Sequence, residues 1–334
     1  MVEDKNQNVE LTDHEAELYD RQIRLWGLES QKRLRAAKVL IIGLNGFGAE
    51  IAKNIILAGV QAITFLDHRN VTAEDRCSQF LAPTDLIGKN RAEASLQRAR
   101  NLNLMVNIEA DTSNVDDKSD TYFSKFNVVC ATECTITQIK RINEACRKHK
   151  VKFFAGDVWG TLGYTFADLI THEYVEDVVQ TKKIQMSECG EPMQKEKFEN
   201  ITVTEKHTDT FVPFESILNI KKSSIPKESE IYYIMLIMLN YREKYGKDPS
   251  PSERGSENFK AEASAIIKKY DLEDKINNLV EGDVYAQISP VCAIVGGIMG
   301  QEIIKTVSQK GAPHNNLFIF NPDTLCGKIL RLGQ

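Results

Sequence analysis

Apolar residues in this chain fall into short continuous runs separated by stretches of helical periodicity, and that alternation predicts the architecture. The run VLII at 39–42 strikes a glycine-rich turn at 43–48 and continues as an apolar helix to Gly59. QAITFLD at 61–67 reads as a second strand, residues 90–103 as a helix, NIEAD and FNVVCAT as further strands, and residues 136–148 as another helix. The pattern VKFFAGDVWGTLGYTFAD then extends the sheet. Strands alternating with helices predict an α/β fold with a mostly parallel sheet covered by helices. Ahead of the first strand, Thr12 and Glu15 form a capping box, so a single helix is expected through YDRQIRLWGLESQKRLRAA. The pattern fades after Thr171. Residues 173–222 are polar with only short β-like pieces such as NITVTE, which predicts an insertion, partly flexible around 182–198. Helices resume at 228–245 and 256–270. SPVCAIVGGIMGQEIIKTVSQ, from Ser289, is an apolar helix whose small residues at 293, 296, 297 and 300 permit close packing, on the chain's own sheet or against another chain. NNLFIFN and GKILRL read as edge strands. The organisation expected is one domain in two parts, 1–170 and 286–334, around a mixed and helical insertion at 171–285.

Composition narrows the function classes. With 334 residues, 42% hydrophobic and 27% charged, the chain is long enough to bury a large core. A formal charge of −5 gives no electrostatic case for a nucleic-acid partner. The polar, acidic start is not a secretory signal, and the longest apolar run, residues 231–239, falls short of the roughly 20 residues that span a bilayer. No membrane role is expected, and a soluble intracellular protein is. The cysteines number seven and contain no CxxC pair, so neither a disulfide framework nor a metal site is expected. Cys130 ends an apolar strand and reads as structural. Cys189, in SECGEP, has no neighbour that would lower its pKa and reads as a passive surface thiol.

The strand–turn–helix at 38–59 has the form of a Rossmann-like phosphate loop, with glycines at Gly43, Gly46 and Gly48. The dinucleotide fingerprint places its middle glycine at 45, where a pyrophosphate approaches closely, and the chain has Asn45 there. The fold signal is strong while the phosphate-binding signal is damaged. Asp67, at the end of the second strand, stands where such units place a ribose-binding carboxylate. A strand-end carboxylate capping a neighbouring helix is the equal alternative. On the N-terminal helix, Tyr19, Ile23 and Trp26 share one face and Arg21 points nearly opposite, available to something outside the core or simply solvated.

Together these pieces resemble the adenylation halves of the ubiquitin-like-protein activating enzymes. The resemblance rests on YDRQIRLWG at 19–27, the loop segment at 39–60, FFAGDVWGTLGYTF at 153–166, and SPVCAIVGGIMGQEIIK at 289–305 followed by HNNLFIF. Within the family, the length and the GLNGFG loop most resemble the smaller, non-thioester subunits of the heterodimeric SUMO-activating enzymes. In that family two related halves pair, and the working half binds ATP and Mg²⁺ and adenylates the modifier's C-terminus. Here Asn45 breaks the family's GxGGxG, Ser78 precedes the Gln79–Phe80 pair, Arg91 replaces a lysine, and the magnesium aspartate falls near Glu133 or Cys134. Only Asp67 matches. The resemblance therefore implies a degenerate pocket formed by Gly43, Gly46, Gly48 and Asp67, no cofactor held tightly by this chain, and ATP and Mg²⁺ bound by a larger catalytic partner. It also implies that Arg21 reaches in trans to that ATP, that SUMO is the modifier served, and that the location is the nucleus, with the cytoplasm as a second compartment. Arg24 is left open between such a role and pairing with an acid at the interface. Alternatives are a subunit serving another modifier such as NEDD8, a NAD-dependent oxidoreductase, and a scaffold that never touches ATP.

Overall fold

The computed structural model describes residues 10–184, 197–227, 229–272, 282, 284–322 and 324–334. Strands β1 (Lys38–Ile42), β2 (Ala62–Leu66), β3 (Asn107–Asp111), β4 (Val128–Ala131), β5 (Lys152–Trp159), β6 (Leu162–Asp168), β9 (Leu317–Asn321) and β10 (Cys326–Leu330) form one eight-stranded sheet in the order β10-β9-β6-β5-β4-β1-β2-β3. The half from β3 to β5 is parallel, and β6, β9 and β10 add on antiparallel. One correction follows. β9 lies inside the sheet between β6 and β10, so of the last two strands only β10 is an edge.

Alternation along the central strands explains the layers. Val39 and Ile41 of β1 enter one core with Phe47, Ile51 and Ile55 of α4 (Gly46–Ala58) and Val295 and Met299 of α10 (Ser289–Ser308). Leu40 and Ile42 face the other core, with Ile139 and Ile142 of α7 (Ile136–His149) and the apolar side chains of α8 (Glu230–Tyr245) and α9 (Glu257–Tyr270). α5 (Arg91–Leu102) and the one-turn α6 (Asp120–Phe123) fill the connections to β3 and β4. α10 is long and apolar enough to cross a membrane by length and composition, but 61% of its most apolar 18-residue window is buried within the protein, as in a core helix. Two of its small residues, Gly296 and Gly300, pack inward. A β-carbon on Gly296 would stand 2.7 Å from Glu50 Cβ, and one on Gly300 2.8 Å from Asn54 Cβ, both on α4 rather than on the sheet, while Gly297 faces open space.

Two other expectations change. The N-terminal helix is three helices, α1 (Asp13–Leu18), α2 (Asp20–Trp26) and α3 (Leu28–Ala36). The chain breaks at Tyr19, whose ψ of 13° leaves the helical well, and at Gly27, whose φ of 90° favours glycine. The polar segment after Thr171 is a ribbon of two 14-residue antiparallel strands, β7 (Thr171–Ile184) and β8 (Lys197–Thr210), rather than short pieces. The flexible stretch expected at 182–198 lies mostly outside the described residues, as does Cys189. Among the described thiols, burial pushes Cys134 and Cys292 up to about 12, which leaves them protonated and inert.

Candidate functional site

The glycine turn between β1 and α4 is closed by the chain's own groups. Asn45 caps α4, its Oδ1 accepting from Gly48 N at 2.8 Å. Leu44 N donates to Asp67 Oδ2 at 2.8 Å, and Phe47 N to Gln287 Oε1 at 3.3 Å. Gln79 lies beneath, donating to Leu44 O and accepting from Leu81 N and Ala82 N. The glycines serve this internal packing: added β-carbons would meet Thr132 O at 2.6 Å from Gly43, and Gly43 O at 2.3 Å from Gly48. On Gly46 the β-carbon would lie 2.0 Å from Ser78 Oγ, so Ser78 occupies the space over the loop. Gly46→Ala is expected to destabilise the chain by about 1–3 kcal/mol through overpacking. Adding Ser78→Gly should recover most of that loss, as measured by denaturant unfolding of the single and double variants.

Beside the loop lies a buried charge network. Arg91, 4% exposed, donates to Asp67 Oδ2 at 2.7 Å, to Asp75 Oδ1 at 3.3 Å, and to Glu133 Oε2. Glu133, in the left-handed region at φ 54°, also pairs with Arg69 at 2.7 Å, and its backbone N donates to Asp157 Oδ1 at 3.0 Å. From Asp157 the network passes to Arg242, 2.7 Å away, which is bonded to Asp248, and Asp248 accepts from Trp159 Nε1 at 3.1 Å. Burial pushes the Glu133 carboxyl up, but Arg91 and Arg69 outweigh it and hold the group at about 2. Asp67 ties the loop to Arg91 and accepts from Arg69 N.

A nucleoside triphosphate does not fit this site. Five carboxylates here face three guanidiniums already engaged by them, so the local charge repels an anion. Among the described residues, no group of three or more His, Cys, Asp or Glu side chains is placed to hold a metal.

Arg21 is placed differently. It is exposed on α2, and among the described residues no hydrogen bond or ion pair engages its guanidinium, while Tyr19 is buried and Ile23 and Trp26 are half-buried. Arg24 pairs with Asp20 of its own helix at 3.0 Å, one turn back. Leu18, Leu25 and Leu28 nearby are exposed apolar side chains. The structure therefore brings Gly43, Gly46, Gly48 and Asp67 together and keeps Arg21 apart, on the outer surface. Arg242 and Asp248 were not anticipated. The signal available was an arginine in a helix that is otherwise apolar nearly all round, IYYIMLIMLNYR, where a lone charge requires a buried partner.

A sheet of this order, with a glycine turn at the switch between β1 and α4, defines an adenylation-type α/β fold, and the chain belongs to the ThiF family, which it matches over residues 19–332. Among its relatives, it is 44% identical over 335 residues to SUMO-activating enzyme subunit 1 of Xenopus laevis, covering 97% of each chain. To the Homo sapiens protein of that name it is 41% identical over 337 residues, covering 96% of each. The E. coli MccB structure with AMPCPP and MccA shares the fold at TM-score 0.55 and 14% identity, over 96% of this chain and 72% of that one. The PaaA structure does so at TM-score 0.57 and 15% identity, over 97% and 86%.

Proposed function

We propose that this chain is the non-thioester subunit of a heterodimeric SUMO-activating enzyme. Its own adenylation site is degenerate, and ATP and Mg²⁺ are held by the larger partner, which adenylates the SUMO C-terminus and carries the acceptor cysteine. The chain supplies the second half of the assembly and extends Arg21 toward the partner's ATP, in the nucleus. The scaffold is 1–170 with 286–334, and 171–285 is the insertion.

The observation that carries this reading is a pair of opposites: a phosphate loop with donors and space taken up internally at Leu44, Phe47, Gly48 and Gly46, and an arginine with no partner among the described residues. Similarity to SUMO-activating enzyme subunit 1 over nearly the whole length supports the choice of modifier. Against an oxidoreductase stands Asp67, whose carboxylate is already committed to Arg91 and Leu44 N.

SUMO-dependent ATP–pyrophosphate exchange tests the assignment. The chain alone should be silent, and exchange should appear when the catalytic partner is added. Exchange by the isolated chain would assign the adenylation chemistry to this subunit and overturn the reading.

A further inference from the structure

Helix α2 has seven residues and none of them is buried. A helix this short is marginal by itself, and its C-terminal end is tied to α3 by Trp26 Nε1, which donates to Gln31 Oε1 at 3.0 Å. Its N-terminal end is held against the C-terminal end of α4. Three successive carbonyls there accept from side-chain amides: Ile56 O from Asn103 at 2.9 Å, Leu57 O from Gln22 at 2.9 Å, and Ala58 O from Gln31 at 3.0 Å. Asn103 has a second bond, from the same Nδ2 to Tyr19 Oη at 2.9 Å. The Tyr19 ring lies so close over Gly59 that a β-carbon there would stand 2.4 Å from Cζ. Arg21 thus sits between two anchors, Tyr19 held by Asn103 and Gln22 held by Leu57 O.

We propose that Asn103, at the end of α5 and 84 positions from Tyr19, is a positioning residue that sets the aim of Arg21. One amide group holds both the start of α2 and the end of α4, so it fixes the helix start that carries Arg21 against the body of the subunit. This inference rests on the reading of Arg21 as the group contributed to the partner's ATP site.

The test is a double-mutant cycle in the assembled heterodimer, read as kcat and KM of SUMO-dependent pyrophosphate exchange. Asn103→Leu keeps the approximate shape and removes the donor, whereas a carboxylate there would still accept from the Tyr19 hydroxyl. Asn103→Leu is expected to lower kcat about 10- to 100-fold, the order of loss that a misplaced catalytic group produces, with KM for SUMO changed by less than about twofold. In the Arg21→Ala background the same substitution should change kcat by less than about twofold, because its effect passes through the guanidinium. Equal losses in both backgrounds, or no loss beside intact Arg21, would overturn the proposal. Should Asn103→Leu fail to assemble with the partner, Tyr19→Phe, which removes only the hydroxyl that Asn103 holds, carries the same cycle with a smaller expected loss of about 3- to 10-fold. If Arg21→Ala alone leaves exchange unchanged, the underlying assignment of Arg21 fails and the proposal with it, an outcome distinct from additivity.

Discussion

Arg21→Ala in the assembled heterodimer is expected to reduce SUMO-dependent ATP–pyrophosphate exchange by about 10³-fold or more, the scale of an arginine that stabilises phosphoryl charge in a neighbouring site. The expectation rests on what the side chain lacks. The arginines near it that serve the fold are engaged, Arg24 with Asp20, Arg35 with Glu15 and Arg33 with Ser308 O, whereas Arg21 is exposed and pairs with no described residue. A guanidinium is always charged and presents a planar fork suited to oxyanions, so Arg21→Lys should recover only part of the lost rate, keeping the charge without the fork. Heterodimer assembly, followed by sedimentation or gel filtration, should be unaffected. Full exchange activity in the variant would identify the chain as a scaffold that never contacts ATP.

The parallel half of the sheet was legible because each strand there is a short apolar run bounded by helical periodicity, and burial on both faces makes that pattern hard to mistake. The two breaks in the N-terminal helix were not. Helical spacing of Tyr19, Ile23 and Trp26 continues across Tyr19, so periodicity alone reports one helix, and only the docking of its ring over Gly59 separates α1 from α2. The ribbon of β7 and β8 was hidden for a different reason. Outward-facing residues such as Thr202, Thr204 and Thr208 are exposed, and Val203 and Ile201 are only half-buried, so the chain offers weak apolar alternation to read. At the candidate site, Asn45 gave early notice that phosphate binding was compromised. What replaced it was invisible, because the replacement is assembled over long range: Arg91, Glu133 and, through Asp157, Arg242 are linked only after α5 and α8, from opposite faces, and the turn after β4 have come together at the ends of the central strands.

That replacement leads to the largest expected effect on stability. Arg91→Ala leaves Asp67, Asp75 and Glu133 as neighbouring carboxylates without their shared cation, and removing one member of a buried ionic group costs about 3–5 kcal/mol. Urea unfolding of the chain with and without the substitution measures it. The pH dependence distinguishes this cause from lost packing. Glu133 is held at about 2 in the folded protein, against an ordinary value of 4.5, so its stabilising contribution is fully present above about pH 4.5 and disappears as pH falls toward 2. Without Arg91 that depression shrinks. The deficit of Arg91→Ala should therefore be largest above pH 4.5 and narrow progressively between pH 4.5 and 2, as Glu133 is protonated. A deficit constant across that window would mean that Arg91 stabilises the site through the bulk of its side chain, and that the charge balance now occupying the phosphate site contributes little to holding the fold together.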